Sequence, residues 1–217
     1  DAATTGNYLT AIGHNALGGN TTASSNTSVG WNSMLANTTG DDNVAMGYKA
    51  LNANTTAAGN TGIGFQALMT NTTGANNTAI GKQALDLNTT ASDNTAVGRL
   101  ALSVNTTGAH LVAVGTNALA ANTTASYNVA VGKGSLNANT TGNSNVGVGY
   151  NTLVANTTAN NNTAVGHDSL KANTTGAQNT AVGRNVLPAN TTANGNTAMG
   201  ESALAASTTG SDNTSVG

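Results

Sequence analysis

The sequence predicts an all-β protein, a β-solenoid (β-roll) with 17-residue rungs. The unit N-T-A-V-G-x-x-A-L-x-x-N-T-T-[G/A]-x-x fills twelve complete copies from Leu9 to Asp212 without insertion or deletion. Its fifth position is always glycine, and positions thirteen and fourteen are always Thr-Thr. Self-similarity at a fixed short period is the signature of a solenoid array, in which each unit packs on its neighbours.

Positions one to five of each unit predict a short strand. In one copy they run from Asn77 to Gly81, with β-branched residues before the glycine. Side chains alternate along a strand, so positions two and four share one side and positions one, three and five share the other. Position four is always Val, Ile or Met. We therefore expect the side with positions two and four to face the interior.

Positions eight to fourteen predict a second strand that faces the first across a thin core. Position nine is Leu in all complete copies except one, which has Met34. Position four and position nine are expected to meet between the two strands. The predicted core residues in the middle of the array are Val97, Leu102, Val114, Leu119, Val131 and Leu136.

Residues 1–217 form a single repeat array, with complete repeats over 9–212. Asp1 and Gly217 both fall inside a repeat, and solenoids need polar end caps, so we expect an uncapped excerpt of a longer fibre. Position fifteen alternates Gly and Ala from Gly6 to Gly210, which pairs the repeats into 34-residue units. Alanine in half of the copies argues against a left-handed backbone there. A 34-residue rung with two similar halves is the alternative.

A core of one Val, one Leu and a few Ala per rung is thin for an isolated chain. Position three is only Ala, Gly or Ser, and position five is only Gly, so their side of the strand permits close approach of a neighbour. We expect self-association, as a parallel homotrimer, through this inter-chain face. Its representative residues are Ala113, Ala130, Ala164 and Ala181.

The composition restricts the partners of this chain. Charged residues make up 6% of it and the net charge is -2, so it lacks the basic character that binds nucleic acid. No apolar run approaches the roughly 20 residues that span a bilayer, so no membrane insertion is expected. There is no cysteine, hence no thiolate metal site.

No catalytic, metal or cofactor site is predicted, and the chain is not expected to be an enzyme. His14, His110 and His167 are far apart in the array and have no second ligand at metal spacing. Asp41, Asp42 and the equivalent Asp93 and Asp212 share one turn, which leaves a calcium site as an alternative. The other copies supply no acid there.

Three further features have competing interpretations. Trp31, Tyr48 and Phe65 occupy position six of successive rungs, as a surface aromatic patch that either packs locally or binds a sugar. Thr doublets such as Thr106 and Thr107 would place only one Thr outward, a single column where an ice-binding face wants two. Asn-Thr-Thr triplets fit the N-glycosylation pattern, but stacked amide ladders explain the same Asn residues.

The strings Asn179-Thr180-Ala181-Val182-Gly183, Leu187 and Asn190-Thr191-Thr192 resemble known repeats. They look like the NTAVG…AL…NTTG repeats of bacteriophage tail-fibre proteins and related bacterial surface proteins. More distantly, they resemble the left-handed β-roll head repeats of trimeric autotransporter adhesins. The resemblance implies a homotrimeric extracellular fibre, on a cell surface or virion. It places binding to a host-cell receptor or glycan at a tip outside this segment.

The sequence therefore predicts a non-enzymatic structural shaft of an extracellular fibre, such as a phage tail fibre or a microbial adhesin or filament. Variability is confined to turn positions six, seven, ten, sixteen and seventeen. A repeated recognition site would instead need the same side chains in each copy. An ice- or glycan-binding solenoid face is the alternative.

Overall fold

The computed structural model describes residues 5–217, so Asp1 and Thr4 of the repeat frame lie outside the described residues. The described chain forms one parallel sheet of 13 strands, each paired with the next strand in sequence. No helix occurs within residues 5–217. The fold is thus the predicted all-β parallel solenoid with one 17-residue turn per repeat.

Each repeat contributes one strand of three residues, at positions two to four. Position two is Thr or Val, position three is Ala, Gly or Ser, and position four is Val, Ile or Met. The strands are β1 Thr10–Ile12, β2 Thr27–Val29, β3 Val44–Met46, β4 Thr61–Ile63, β5 Thr78–Ile80, β6 Thr95–Val97, β7 Val112–Val114, β8 Val129–Val131, β9 Val146–Val148, β10 Thr163–Val165, β11 Thr180–Val182, β12 Thr197–Met199 and β13 Thr214–Val216.

Equivalent residues of neighbouring repeats stand directly opposite each other. Ala96 of β6 pairs with Ala113 of β7, for example. We call each 17-residue turn a rung, and the equivalent side chains of successive rungs a column. Because this register holds from β1 to β13, one repeat makes one rung, and the alternative of a 34-residue rung is wrong.

The prediction of a second strand at positions eight to fourteen is wrong, because the backbone there turns repeatedly. Positions seven, nine and seventeen all have positive φ, as at Asn117 (59°), Leu119 (49°) and His110 (57°). A left-handed conformation costs a non-glycine residue roughly 1–2 kcal/mol. Rung-to-rung hydrogen bonds continue through this segment, and Leu102 N donates to Ala118 O at 3.1 Å. The turns are therefore tied to the stack without a second strand.

The interior of each rung contains the side chains of positions three, eight and nine, surrounded by buried amides. Leu102, Leu119 and Leu136 have no exposed surface and lie in the core as predicted. Burial of a whole Leu side chain is worth about 1.5–3 kcal/mol, which offsets the left-handed backbone of position nine.

Two columns of buried Asn run through the rod, at positions one and twelve. Asn105 Nδ2 donates to Asn88 Oδ1 of the preceding rung at 3.0 Å and to Gly108 O at 2.9 Å. Asn94 Nδ2 donates to the same Gly108 carbonyl at 3.0 Å, and its Oδ1 accepts from Leu111 N at 3.0 Å. The Asn of the Asn-Thr-Thr triplets thus forms an amide ladder. Its burial leaves no room for a glycan on the folded rod.

The Gly/Ala alternation at position fifteen has a packing cause. A Cβ on Gly108 would lie 2.1 Å from the carbonyl oxygen of Ala125 in the next rung. The described residues at position fifteen have no positive φ, which agrees with the expectation drawn from the alanines at this position. Every second rung therefore needs glycine for close approach, which gives the 34-residue pairing a structural basis within 17-residue rungs.

Candidate interaction surface

One side of the sheet lies on the outside of the rod. We call it the strand face, defined by the side chains at positions two and four of β1 to β13. These side chains are half-buried or exposed, and Ile80 and Met46 are 38% and 42% exposed. The central part of the strand face is entirely aliphatic, and it consists of Val112, Val114, Val129, Val131, Val146 and Val148.

The strand face corrects the predicted orientation of the strands. The sequence places Val97, Val114 and Val131 in the core, but they are half-buried on the outer side. The side predicted as the inter-chain face instead fills the interior of the same chain, since the following residues have no exposed surface: Ala113, Ala130, Ala164 and Ala181. The predicted alternation is confirmed and the predicted choice of inner side is wrong.

The narrow interior explains this orientation. A Cβ placed on Gly62, at position three, would lie 3.2 Å from Ala67 O and 3.2 Å from Leu51 Cγ. Position three therefore packs against position eight of its own rung and Leu of the preceding rung, where Val does not fit. The signal was in the sequence, because position three tolerates only Ala, Gly or Ser whereas position four accepts Val, Ile and Met.

Glycine at position five borders the strand face. Gly115 has a φ of +133°, and a Cβ on it would lie 2.7 Å from the carbonyl carbon and oxygen of Gly132. Both the backbone conformation and the close stacking exclude a side chain there. This column leaves the edge of the strand face free of protruding groups.

Position six, just beyond these glycines, holds the aromatic patch. Trp31 and Tyr48 stack at 5.0 Å between ring centroids, and Tyr48 and Phe65 at 5.1 Å. His14 lies on the other side of Trp31 at 6.3 Å, and the Lys82 ammonium is 5.6 Å from the Phe65 centroid. The structure thus brings the three predicted residues into one column.

The stacking disfavours a sugar-binding role for this patch. Trp31 is 43% exposed and Phe65 44%, but their ring faces are turned toward one another and toward His14 and Lys82. Sugars bind aromatic side chains mainly through an open ring face, and here the edges of the rings face solvent. The arrangement fits local packing along the column.

Opposite charges border the two edges of the strand face. Column six carries four of the six Lys and Arg residues, namely Lys82, Arg99, Lys133 and Arg184. Column seventeen, at the other edge, carries Asp42, Asp93 and Asp212. Arg184 forms an ion pair with Glu201 of its own column, and Asp93 lies 3.9 Å from His110 Nδ1. Within the described residues Arg99 has no ion-pair partner.

The candidate metal ligands stay apart. Asp42 and Asp93 are three rungs from each other, which corresponds to about 14 Å at ~4.8 Å per rung. Across residues 5–217 no group of three His, Asp or Glu side chains could hold a metal ion. The calcium alternative therefore has no ligand cluster in the described part of the chain.

In the doublets from Thr38-Thr39 to Thr191-Thr192 only the second Thr is exposed, as the sequence predicts. Thr106 Oγ1 donates to Thr123 O at 3.0 Å, which links the rungs, whereas Thr107 is exposed. The doublets therefore present a single outward column of hydroxyl groups.

Asp86, at position ten, is a buried carboxylate without full hydrogen bonding. The residue is only 9% exposed, and its Oδ1 has no hydrogen-bond partner. Burial raises the pKa of Asp86 above its ordinary value near 3.8, and a hydrogen bond from Gln83 Nε2 at 3.3 Å opposes this rise.

Comparisons with protein-family models, with curated proteins and with solved structures give no match to this chain. Among residues 5–217 there is no helix of the length and apolarity that a membrane crossing requires. The described residues also enclose no pocket.

Proposed function

We propose that this chain is a shaft segment of an extracellular fibre, non-enzymatic, in which copies associate in parallel as a homotrimer through the strand face. The observation that carries the proposal is an unbroken outward face of Thr, Val, Ile and Met along 13 strands. Exposed apolar stripes of this length are uncommon on monomers and mark interaction surfaces.

The size of the strand face suits self-association. Thirteen strands at ~4.8 Å spacing and about 10 Å of strand length give a face of roughly 600 Å² per copy. Specific interfaces bury about 800 Å² per partner, and the bordering columns would add the remainder. A second copy of the same rod has a matching repeat, so its side chains meet this face at every rung.

Threefold packing fits the width of the strand. Packed sheets stand about 10 Å apart, so three sheets around an axis would each lie about 5 Å from it. A triangle with that inner radius has edges of about 17 Å, the length of five extended residues at ~3.3 Å each. Positions one to five supply such a segment in every rung. Val side chains of the strand face would fill the central channel.

The repeat's resemblance to tail-fibre and bacterial surface-fibre sequences supports placement outside the cell, on a cell surface or virion. A shaft needs regular stacking along its length, and hydrogen bonds link every rung to the next. Binding of a host-cell receptor or glycan is proposed for a tip beyond this segment.

Ice binding by the strand face is the second candidate. Position two is Thr in most rungs, as in Thr78 and Thr95, and it lies beside the Val and Ile of position four. The strand face therefore offers the two regular columns that the Thr doublets lack. Interruption of the Thr column by Val44, Val112, Val129 and Val146 favours self-association instead.

Electron microscopy of the producing particles or cells, labelled with antibodies against the array, tests the proposed role. We expect labelled filaments that project from the surface and lose label when the array is deleted. Label confined to the interior would refute the shaft proposal. Thermal hysteresis by a purified monomer, abolished by Thr95→Leu, would instead establish ice binding.

A further inference from the structure

We propose that the charged borders of the strand face set the polarity and register of self-association, with Asp93 of one copy paired with Arg99 of a parallel neighbour. The inference rests on the self-association proposed above. It adds the residues that decide how the copies are aligned.

The two residues lie at opposite edges of one strand. Asp93 precedes β6 by two residues, and Arg99 follows its last residue by two. When strand faces of parallel rods turn toward a common axis, column seventeen of one copy lies beside column six of the next. In antiparallel rods packed face to face, each column instead lies beside its own equivalent.

The charge pattern distinguishes these two arrangements. Antiparallel packing brings the cationic column six of both copies together, and Arg99 would lie close to Lys133 when the rods are centred on β7. Parallel packing in register places Asp93 of one copy beside Arg99 of the next, because the two residues flank the same strand, β6. Like charges held together destabilise an interface, and complementary charges align it.

The same columns also select the register. In register, no two like charges face each other across the border, and Lys82 and Arg184 lie beside Asn76 and Gln178. A shift by one rung that pairs Lys82 with Asp93 also places Glu201 beside Asp212. A shift in the opposite direction leaves Asp93 beside the uncharged Thr116.

Both members of the proposed pair are exposed toward a neighbour. The Asp93 side chain is 45% exposed; its Oδ2 lies 3.9 Å from His110 Nδ1, and its Oδ1 accepts a hydrogen bond from Asn76 Nδ2 at 3.3 Å. Arg99 is exposed and lacks an ion-pair partner among residues 5–217. Arg184, in contrast, already pairs with Glu201.

Cross-linking tests the polarity without altering these charges. The chain has no cysteine, so His110→Cys and Thr116→Cys place single thiols in columns seventeen and six on the two sides of β7, the middle strand. The two variants are refolded together and treated with a short bis-maleimide. We expect mainly 110–116 products between chains. Predominant 110–110 or 116–116 products would overturn the proposal, because they indicate antiparallel rods centred on β7.

Charge reversal tests the pair itself. At low salt, Asp93→Arg and Arg99→Asp should each weaken association by about fivefold, the upper range for an exposed pair. The double variant should recover association to within about twofold. His110 and Tyr127 occupy the same left-handed position as Asp93, so a long side chain fits there. Circular dichroism checks that each variant keeps its fold.

The outcomes separate the two proposals. An associated wild-type chain that is insensitive to both reversals, or a double variant no better than the single ones, overturns the Asp93–Arg99 pair alone. A wild-type chain that sediments as a monomer overturns the self-association and this inference together.

Discussion

Ala113 and Val114 are adjacent in β7 and face opposite environments. Ala113 has no exposed surface, and Val114 is half-buried on the strand face. The Ala113 side chain must fit between position eight of its own rung and the Leu of the preceding rung. The Val114 side chain faces outward, where the isolated chain leaves space. This single alternation places the apolar stripe of every rung on the outside.

Enlarging these two residues should have unequal effects on stability. Ala113→Leu adds volume to a filled interior and should lower the free energy of unfolding by about 1–3 kcal/mol or more. Val114→Leu, the matched control, should change it by less than about 0.5 kcal/mol in the monomer. Urea denaturation at low protein concentration measures both. Equal losses would contradict the assigned orientation of β7.

The position-twelve Asn ladder should contribute strongly to stability. Asn105→Leu keeps the branching of the side chain, in a larger volume, but leaves Asn88 Oδ1 buried without its donor. An orphaned buried polar group costs about 1–3 kcal/mol, and we expect a loss in that range by chemical denaturation. Thr107→Ala, on the exposed column of the same rung, should change stability by less than about 0.5 kcal/mol. A neutral Asn105→Leu would show that the amides do not stabilise the stack.

The alternation at position fifteen predicts an asymmetric pair of substitutions. Gly108→Ala should destabilise the rod by about 2 kcal/mol or more, because its Cβ would lie 2.1 Å from a backbone oxygen. Ala125→Gly removes a methyl group without a clash and should cost about 0.5–1 kcal/mol. Melting temperatures of the two variants compare them directly. If both are tolerated equally, the 34-residue pairing has no packing cause.

Asp86 should make stability depend on pH. Burial raises its pKa in the folded state, so the folded chain holds this proton more tightly than the unfolded chain. The favourable contribution is present at low pH and declines as the pH rises from near 3.8 through the folded pKa. Asp86→Asn should flatten this decline and be more stable than the wild type at neutral pH. An unchanged slope of unfolding free energy against pH would refute this assignment.

The sequence predicted correctly how the rungs stack, but it did not predict which strand side faces the interior or how the chain turns within a rung. Strict repetition determines the parallel register, so Ala96 opposite Ala113 followed from the period alone. The inner side of the strand did not follow, because hydrophobicity favoured Val114 whereas the available volume favoured Ala113. The turns were also not predicted, because Leu disfavours a left-handed backbone. At Leu119 that conformation is stabilised by complete burial of the side chain.

Sedimentation velocity on the 217-residue chain and its Val131→Asp variant determines whether the strand face joins the copies. We expect the wild type to sediment at micromolar concentration as a species of three times the 21.1 kDa mass of one chain. Val131→Asp, which places a charge on the strand face, should sediment as a monomer with an unchanged circular dichroism spectrum. Thr124→Asp, on the exposed Thr column away from the strand face, should associate like the wild type. A monomeric wild type, or a Val131→Asp variant that still associates fully, would contradict the claim that the strand face joins the copies.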